Sequence, residues 1–292
     1  MIKGIFPPII TPFMNDEIAI DKLKRNITLW NKIDLSGYVV MGSNGESVFL
    51  TRKEKLILVE NVKEYASDGK SIIAGTGLDS VKETISLSND AAKAGADFVL
   101  ILTPSFYHSQ MKHKELLDYF TRIADNVNVP VIIYNVPKFT NVNISADTVA
   151  ALAFHKNIVG LKSSSENIAE LTEFISVVPR DFSVLAGTAS VLYPGLIAGA
   201  VGGVLALANV CPEECVILYK YFLDGNFEQC LSFQKRLIKP NKAVTAAFGV
   251  PGLKAIMDIK GYYGGPVRSP LQNLTESEIN LIRKIFQNAD LL

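Results

Sequence analysis

The chain has 292 residues, 48% of them hydrophobic and 20% charged, with 29 Lys plus Arg balancing 29 Asp plus Glu. This is an ordinary globular composition with enough apolar material for a large core. A formal charge of zero offers no electrostatic footprint for nucleic acid or anionic lipid, and no apolar run reaches the roughly 18 to 20 residues of a membrane helix.

The opening stretch "MIKGIFPPIITPF" has one basic residue and is interrupted by prolines 7, 8 and 12. It reads as a first strand rather than a signal peptide, so a cytoplasmic location is the expectation. Short β-rich runs then recur at 4–10, 37–41, 71–76, 97–103, 130–136, 158–162, 182–187 and 202–208. They are nearly continuous apolar runs, as expected of parallel strands covered on both faces. Amphipathic helices fill the gaps. Ile20, Leu23, Ile27 and Trp30 fall at helical spacing. The next two helices open with capping boxes, Thr51 to Glu54 and Ser80 to Glu83. Further helices are predicted over 113–125, 145–154, 166–178, 189–199 and 212–222.

Eight strands alternating with eight helices favour a (β/α)8 TIM barrel over an open doubly wound sheet. An open sheet would want a phosphate fingerprint, but "GTG" at 75–77 lacks the third glycine and no Walker lysine motif is present. The barrel is predicted over 1–223 and a C-terminal helical extension over 224–292, packed on the barrel as one compact unit. Its helices are expected at 226–238, 241–259 and 276–288, the last behind another capping box, Thr275 to Glu278. Cys211, Cys215 and Cys230 are too few and too late for a disulfide framework. With only three histidines (108, 113 and 155), none beside the cysteines, no metal site is expected.

Barrel enzymes carry their active sites at the C-terminal ends of the strands. Lys162, in "NIVGLKSSS", is the only lysine among those ends. Lysine is seldom fully buried, so Lys162 has either left the strand for water or reaches into a pocket. The other lysines mostly sit on helices beside Glu, Asp or Asn, where a solvated face is the natural reading. Tyr134 closes the preceding strand and brings a phenol that can carry a proton. Ser43 and Asn44 lie in a Gly-flanked turn suited to an anionic oxygen, and Ser164 adds a hydroxyl. A lysine in an apolar pocket can attack a carbonyl and form a Schiff base. The residues alone therefore point to a barrel enzyme that forms an imine.

The segments "GSNGES", "YNVP" and "GLKSSS" closely resemble the N-acetylneuraminate lyase and dihydrodipicolinate synthase superfamily of pyruvate aldolases, and the resemblance runs from Gly4 to Ile285. Within it the chain looks most like the 4-hydroxy-2-oxoglutarate aldolases, through "PPIITPF", "VLAGTA", "GAVGGVLALANV", "LIKPNKAVTAAFGVPGLKAIMD" and "GYYGGPVRSPLQ". The resemblance implies that Lys162 forms the imine with a 2-oxo acid, that Tyr134 shuttles a proton, and that Ser43 and Asn44 hold the pyruvate carboxylate. Ser164 would orient the distal part of the substrate, Gly187 and Asn209 would shape the pocket wall, and Tyr107 would reach across a subunit interface. No cofactor is implied, and a homotetramer or homodimer is. One departure concerns the synthases, which carry an arginine two residues beyond the proline of "YNVP"; Phe139 stands there, beside Lys138. Asn141 occupies a position where relatives place glycine, and is the next best residue for a left-handed backbone. The expected reaction is cleavage of 4-hydroxy-2-oxoglutarate to pyruvate and glyoxylate. The alternatives are dihydrodipicolinate synthesis from pyruvate and aspartate semialdehyde, cleavage of another sugar acid, and a pyruvate-binding sensor.

Overall fold

The computed structural model describes residues 2–292. Eight parallel strands form one sheet: β1 (Gly4–Phe6), β2 (Gly37–Val40), β3 (Ser71–Gly75), β4 (Phe98–Leu102), β5 (Val131–Asn135), β6 (Ile158–Ser163), β7 (Ser183–Ala186) and β8 (Gly202–Val204). From β2 to β8 each strand pairs with the next, and β8 returns to β1 with Gly4 opposite Gly202. The last seam closes just beyond β1. There the Ile9 N–H donates to Val39 O at 2.9 Å and the Val39 N–H to Pro7 O at 3.0 Å. The result is a (β/α)8 barrel. Both β1 and β8 are shorter than predicted, for two physical reasons. Pro7 and Pro8 have no N–H to give the ladder, and after Val204 the chain winds into a 3₁₀ segment, Ala206–Asn209.

The continuous apolar runs are explained by burial on two sides. Phe6, Val39, Ile73, Leu100, Ile132, Leu185 and Val204 form one cluster, the packed interior of the barrel. Alternate residues such as Val131, Ile133 and Val184 join a second cluster with the helices outside. On the first helix, Ile20–Trp30, the predicted Leu23, Ile27 and Trp30 are all buried. The capping boxes at Thr51 and Thr275 are complete. At Ser80 only half a box forms: its hydroxyl accepts the Glu83 N–H at 3.3 Å, while the Glu83 carboxylate turns to Arg52 at 3.5 Å.

The C-terminal helices differ from the predicted pattern at Pro240. Instead of breaking there, the helix Phe227–Lys242 runs through the proline and opens into one π turn, Ala243–Ala247, before Gly249–Ile259. Proline removes one intrahelical bond and crowds the preceding turn. Tertiary contacts hold the segment regardless. The buried Asn241 amide donates to Thr188 Oγ1 and Ser190 Oγ at 2.8 Å each, tying the helix to the segment after β7.

A buried ion pair joins these helices to the barrel. Glu46, at the end of "GSNGE", has φ +54° and is buried, as is Lys254 on Gly249–Ile259. Lys254 Nζ lies 2.6 Å from Glu46 Oε1 and donates to Pro266 O at 2.7 Å. Glu46 Oε2 accepts the Arg268 N–H at 2.8 Å. The ring of Phe13 receives both cations, with Lys254 Nζ at 4.6 Å and the Arg268 guanidinium at 4.3 Å from its centre. Burial pushes the Lys254 ammonium below its ordinary pKa, and the Glu46 carboxylate pulls back the other way. Lys254 thus corrects the expectation that lysines away from the strand ends lie on solvated faces. It looks ordinary in sequence because its partner is about 200 residues away.

Removing one member of a buried pair should cost about 3–5 kcal/mol by leaving the other charge unpaired. Lys254→Met should therefore lower the denaturant midpoint sharply, and adding Glu46→Gln should restore part of the loss. A second expectation concerns acid. The Arg268 hydrogen bond to Glu54, 2.6 Å long, holds that carboxyl at about 2 against its usual 4.5. The folded pKa is depressed, so this stabilisation is complete above pH 4.5 and is lost as pH falls toward about 2. Stability measured across that window should fall less steeply in Arg268→Met than in the wild type.

Candidate active site

Tyr134 and Lys162 are direct neighbours in the register of β5 and β6. Side chains at paired positions of adjacent strands point to the same face, and here both enter the top of the barrel. Lys162 is 3% exposed and Tyr134 5%. The amine sits 3.8 Å from the centre of the Tyr134 ring. Among the described residues no carboxylate comes within ion-pair distance of Lys162. The lysine has therefore not escaped to water. It is enclosed beside a phenol, with no carboxylate partner.

The Tyr134 hydroxyl lies 3.4 Å from Ser43 Oγ. Burial pushes the phenol's pKa up, but the positive charge of Lys162 opposes it, aided by the Ser43 hydroxyl and the polar groups of Ser164 and Lys162 nearby. The net result is a phenol below its ordinary value. Ser43 and Asn44 begin a single 3₁₀ turn, Ser43–Gly45. The Gly45 and Glu46 N–H groups bond inside that turn, to Gly42 O and Ser43 O. Those of Ser43 and Asn44 make no such bond among the described residues, which leaves two donors at the cavity for an anionic oxygen.

The opposite wall depends on a close approach of β6 and β7. The Gly187 N–H donates to Ser163 O at 2.7 Å. A Cβ at Gly187 would fall 2.2 Å from Ser164 Oγ and 2.6 Å from Ser163 O. Only glycine fits without moving backbone. Ser164 itself is held by its N–H donating to Asn135 O at 2.9 Å.

Ser43, Asn44, Tyr134, Phe139, Lys162, Ser164 and Gly187 thus line one cavity of about 390 Å³. Two expected residues do not. Asn209 is fully buried behind the wall, with its amide spent on the barrel seam: Nδ2 donates to Pro8 O and Ala206 O at 3.0 Å each, and Oδ1 accepts the Ile10 N–H at 3.3 Å. It does not line the cavity itself, but its bonds hold Pro8 and Ala206, which do. Tyr107 lies in a different groove, with Asp79, Met111 and Tyr119, and is 63% exposed within the single chain. Other lining residues had been given no site role: Glu166, Thr188, Lys242, and Val244 to Ala246 of the π turn. All but Glu166 fall within the quoted segments "VLAGTA" and "LIKPNKAVTAAFGVPGLKAIMD", which carried the family resemblance without marking a site. Asn141 does adopt the expected left-handed backbone, φ +54°, capping the short helix that carries Phe139.

A family model described as the dihydrodipicolinate synthetase family matches residues 1–289. The chain belongs to that family. A 4-hydroxy-tetrahydrodipicolinate synthase of Methanothrix thermoacetophila is 35% identical over 98% of this chain and 96% of its own. A probable mitochondrial 4-hydroxy-2-oxoglutarate aldolase of Emericella nidulans is 30% identical over 99% and 95%. A solved family member from E. coli K12, a prophage protein in complex with pyruvate, superimposes with a TM-score of 0.94 at 26% identity, covering 99% of both chains. As a member of this family the chain is a carbon–carbon lyase, an aldolase of the pyruvate-dependent, Schiff-base class, which sets aside the sensor expectation. No described helix is long and apolar enough to cross a membrane.

If Lys162 holds the Tyr134 phenol down by its charge, removing that charge leaves burial unopposed. In Lys162→Met the phenolate should form at higher pH than in the wild type. Ultraviolet difference titration, referenced to the matching Tyr134→Phe proteins, reads this directly. An unmoved titration would mean that the two groups do not sense each other.

Proposed function

We propose that Lys162 is the Schiff-base lysine and that the chain condenses pyruvate with aspartate semialdehyde. The observation that carries the first half is the enclosure of the Lys162 amine against Tyr134 without a carboxylate partner. The second half is supported by the relatives named as 4-hydroxy-tetrahydrodipicolinate synthases, at 31–35% identity over nearly the whole chain. In this reading the Lys162 amine attacks C2 of pyruvate and water leaves, giving a protonated imine. The Tyr134 phenolate takes a C3 proton to yield an enamine, which attacks the aldehyde carbon to form the new carbon–carbon bond. Tyr134 gives that proton to the aldehyde oxygen, and the phenolate so formed faces the iminium's positive charge; attack of the product's own amine or of water on the iminium carbon then breaks its bond to the Lys162 nitrogen and frees the lysine. Ser43 and Asn44 hold the pyruvate carboxylate, and Ser164 and the Gly187 backbone position the remainder. No cofactor enters the cycle, because the imine is the electron sink.

Glyoxylate remains a second reading because of Phe139. This side chain reaches the cavity but offers neither charge nor hydrogen bond, so it cannot replace an arginine fork on a distal carboxylate. Assembly belongs to the proposal as well. Phe106 and Tyr107 form an exposed edge-to-face pair, with centroids 5.0 Å apart. A second copy covering them would fit a homodimer or homotetramer with Tyr107 near a neighbouring site.

Pyruvate with borohydride should label Lys162, and Lys162→Ala should abolish labelling and turnover; label on another lysine would sink the assignment. Tyr134→Phe should still trap pyruvate but slow bond formation about 10²- to 10⁴-fold. In a side-by-side assay aspartate semialdehyde should outrun glyoxylate. The reverse order would return the chain to the 4-hydroxy-2-oxoglutarate aldolases.

A further inference from the structure

Three charged side chains line the Lys162 cavity without an ion-pair partner among the described residues: Lys138, Glu166 and Lys242. They come from separate parts of the chain. Lys138 lies on the short helix Pro137–Thr140 after β5, Glu166 on the loop after β6, and Lys242 ends the helix Phe227–Lys242. All three are exposed in the free chain, as expected of a cavity rim. Lys138 is held in place, since its Nζ donates to Thr245 O of the π turn at 3.0 Å and lies 5.6 Å from the Phe139 ring centre. That bond joins the β5 side of the rim to the C-terminal helices and leaves two donors of the ammonium free.

We propose that this trio recognises the α-amino-acid head of the second substrate, Lys138 and Lys242 taking its carboxylate and Glu166 its ammonium. The proposal rests on Lys162 being the Schiff-base residue. The chemistry of the aldehyde decides the match. A head with one carboxylate and one ammonium, carried away from the reacting carbonyl, presents at the rim the charges opposite to two lysines and a glutamate. Charge-assisted hydrogen bonds are the strong ones, and two ammonium donors can serve the two oxygens of one carboxylate. Glyoxylate has its carboxylate next to the aldehyde and no ammonium, so it engages none of the three. On this account the charge missing at Phe139 is supplied by its neighbour and by a lysine about 100 residues later. The plainer role for Lys242 is to complement the C-terminal end of its helix. In that role its removal would treat every aldehyde alike.

The test compares kcat/KM for aspartate semialdehyde, succinate semialdehyde and glyoxylate in the wild type, Lys242→Gln, Lys242→Arg and Glu166→Gln. Succinate semialdehyde keeps the distal carboxylate and lacks the ammonium. Lys242→Gln should lower the ratio of either semialdehyde to glyoxylate about ten- to a hundredfold, the usual range for a lost charged hydrogen bond, and Lys242→Arg should restore most of it. Glu166→Gln should lower the ratio of aspartate semialdehyde to succinate semialdehyde and spare that of succinate semialdehyde to glyoxylate. Ratios that stay constant in both glutamine variants overturn the proposal, as does a wild type that uses glyoxylate alone. Borohydride trapping of pyruvate on each protein separates the two levels. Loss of trapping on the wild-type lysine overturns the Schiff-base reading itself, whereas trapping with unchanged ratios overturns only the rim.

Discussion

The buried contact between Glu46 and Lys254 constrains more of this molecule than any other single interaction. Two opposite charges with almost no access to water cannot separate without leaving one uncompensated. Glu46 ends the turn that presents Ser43 and Asn44 to the cavity, and its backbone is left-handed there. Lys254 sits on a helix beyond the barrel, and the Arg268 segment closes over both. The C-terminal helices therefore do more than cover the barrel. They hold one wall of the site in position, and the π turn on the same stretch supplies another part of the lining.

The chemistry rests on a second constraint, the parallel register of β5, β6 and β7. Pairing Tyr134 with Lys162 brings a phenol and an amine together without any hydrogen bond having to position them. The next strand approaches so closely at Gly187 that no side chain fits. The amine is thus enclosed by ring, backbone and serine hydroxyls, all of them neutral. The other charged side chains of the cavity, Lys138, Glu166 and Lys242, are exposed, whereas Lys162 is buried.

Much of this was legible in advance. The apolar runs of β2 to β7 gave the barrel because strands buried on both faces cannot alternate. Thr51 and Thr275 marked helix starts because a capping box is local chemistry. Lys162 stood out because an amine at the end of such a strand has few places to go. Other features were misread wherever a distant contact overrode a local signal. Ser80 lost half its box to Arg52, and Pro240 failed to end its helix because Asn241 is anchored from the barrel.

The sequence by itself determined the strand–helix alternation, the strand-end lysine and tyrosine, and the family they belong to, since each is written in residues close together along the chain. Only the tertiary structure decided that Lys254 is buried, that the Asn209 amide is bonded to Pro8 and Ala206, and that Glu166 and Lys242 share the cavity rim with Lys138. Those outcomes depend on which segments meet in space. Periodicity and propensity describe neighbours within about one turn or one strand, whereas burial and charge pairing are settled between residues some hundred or two hundred positions apart.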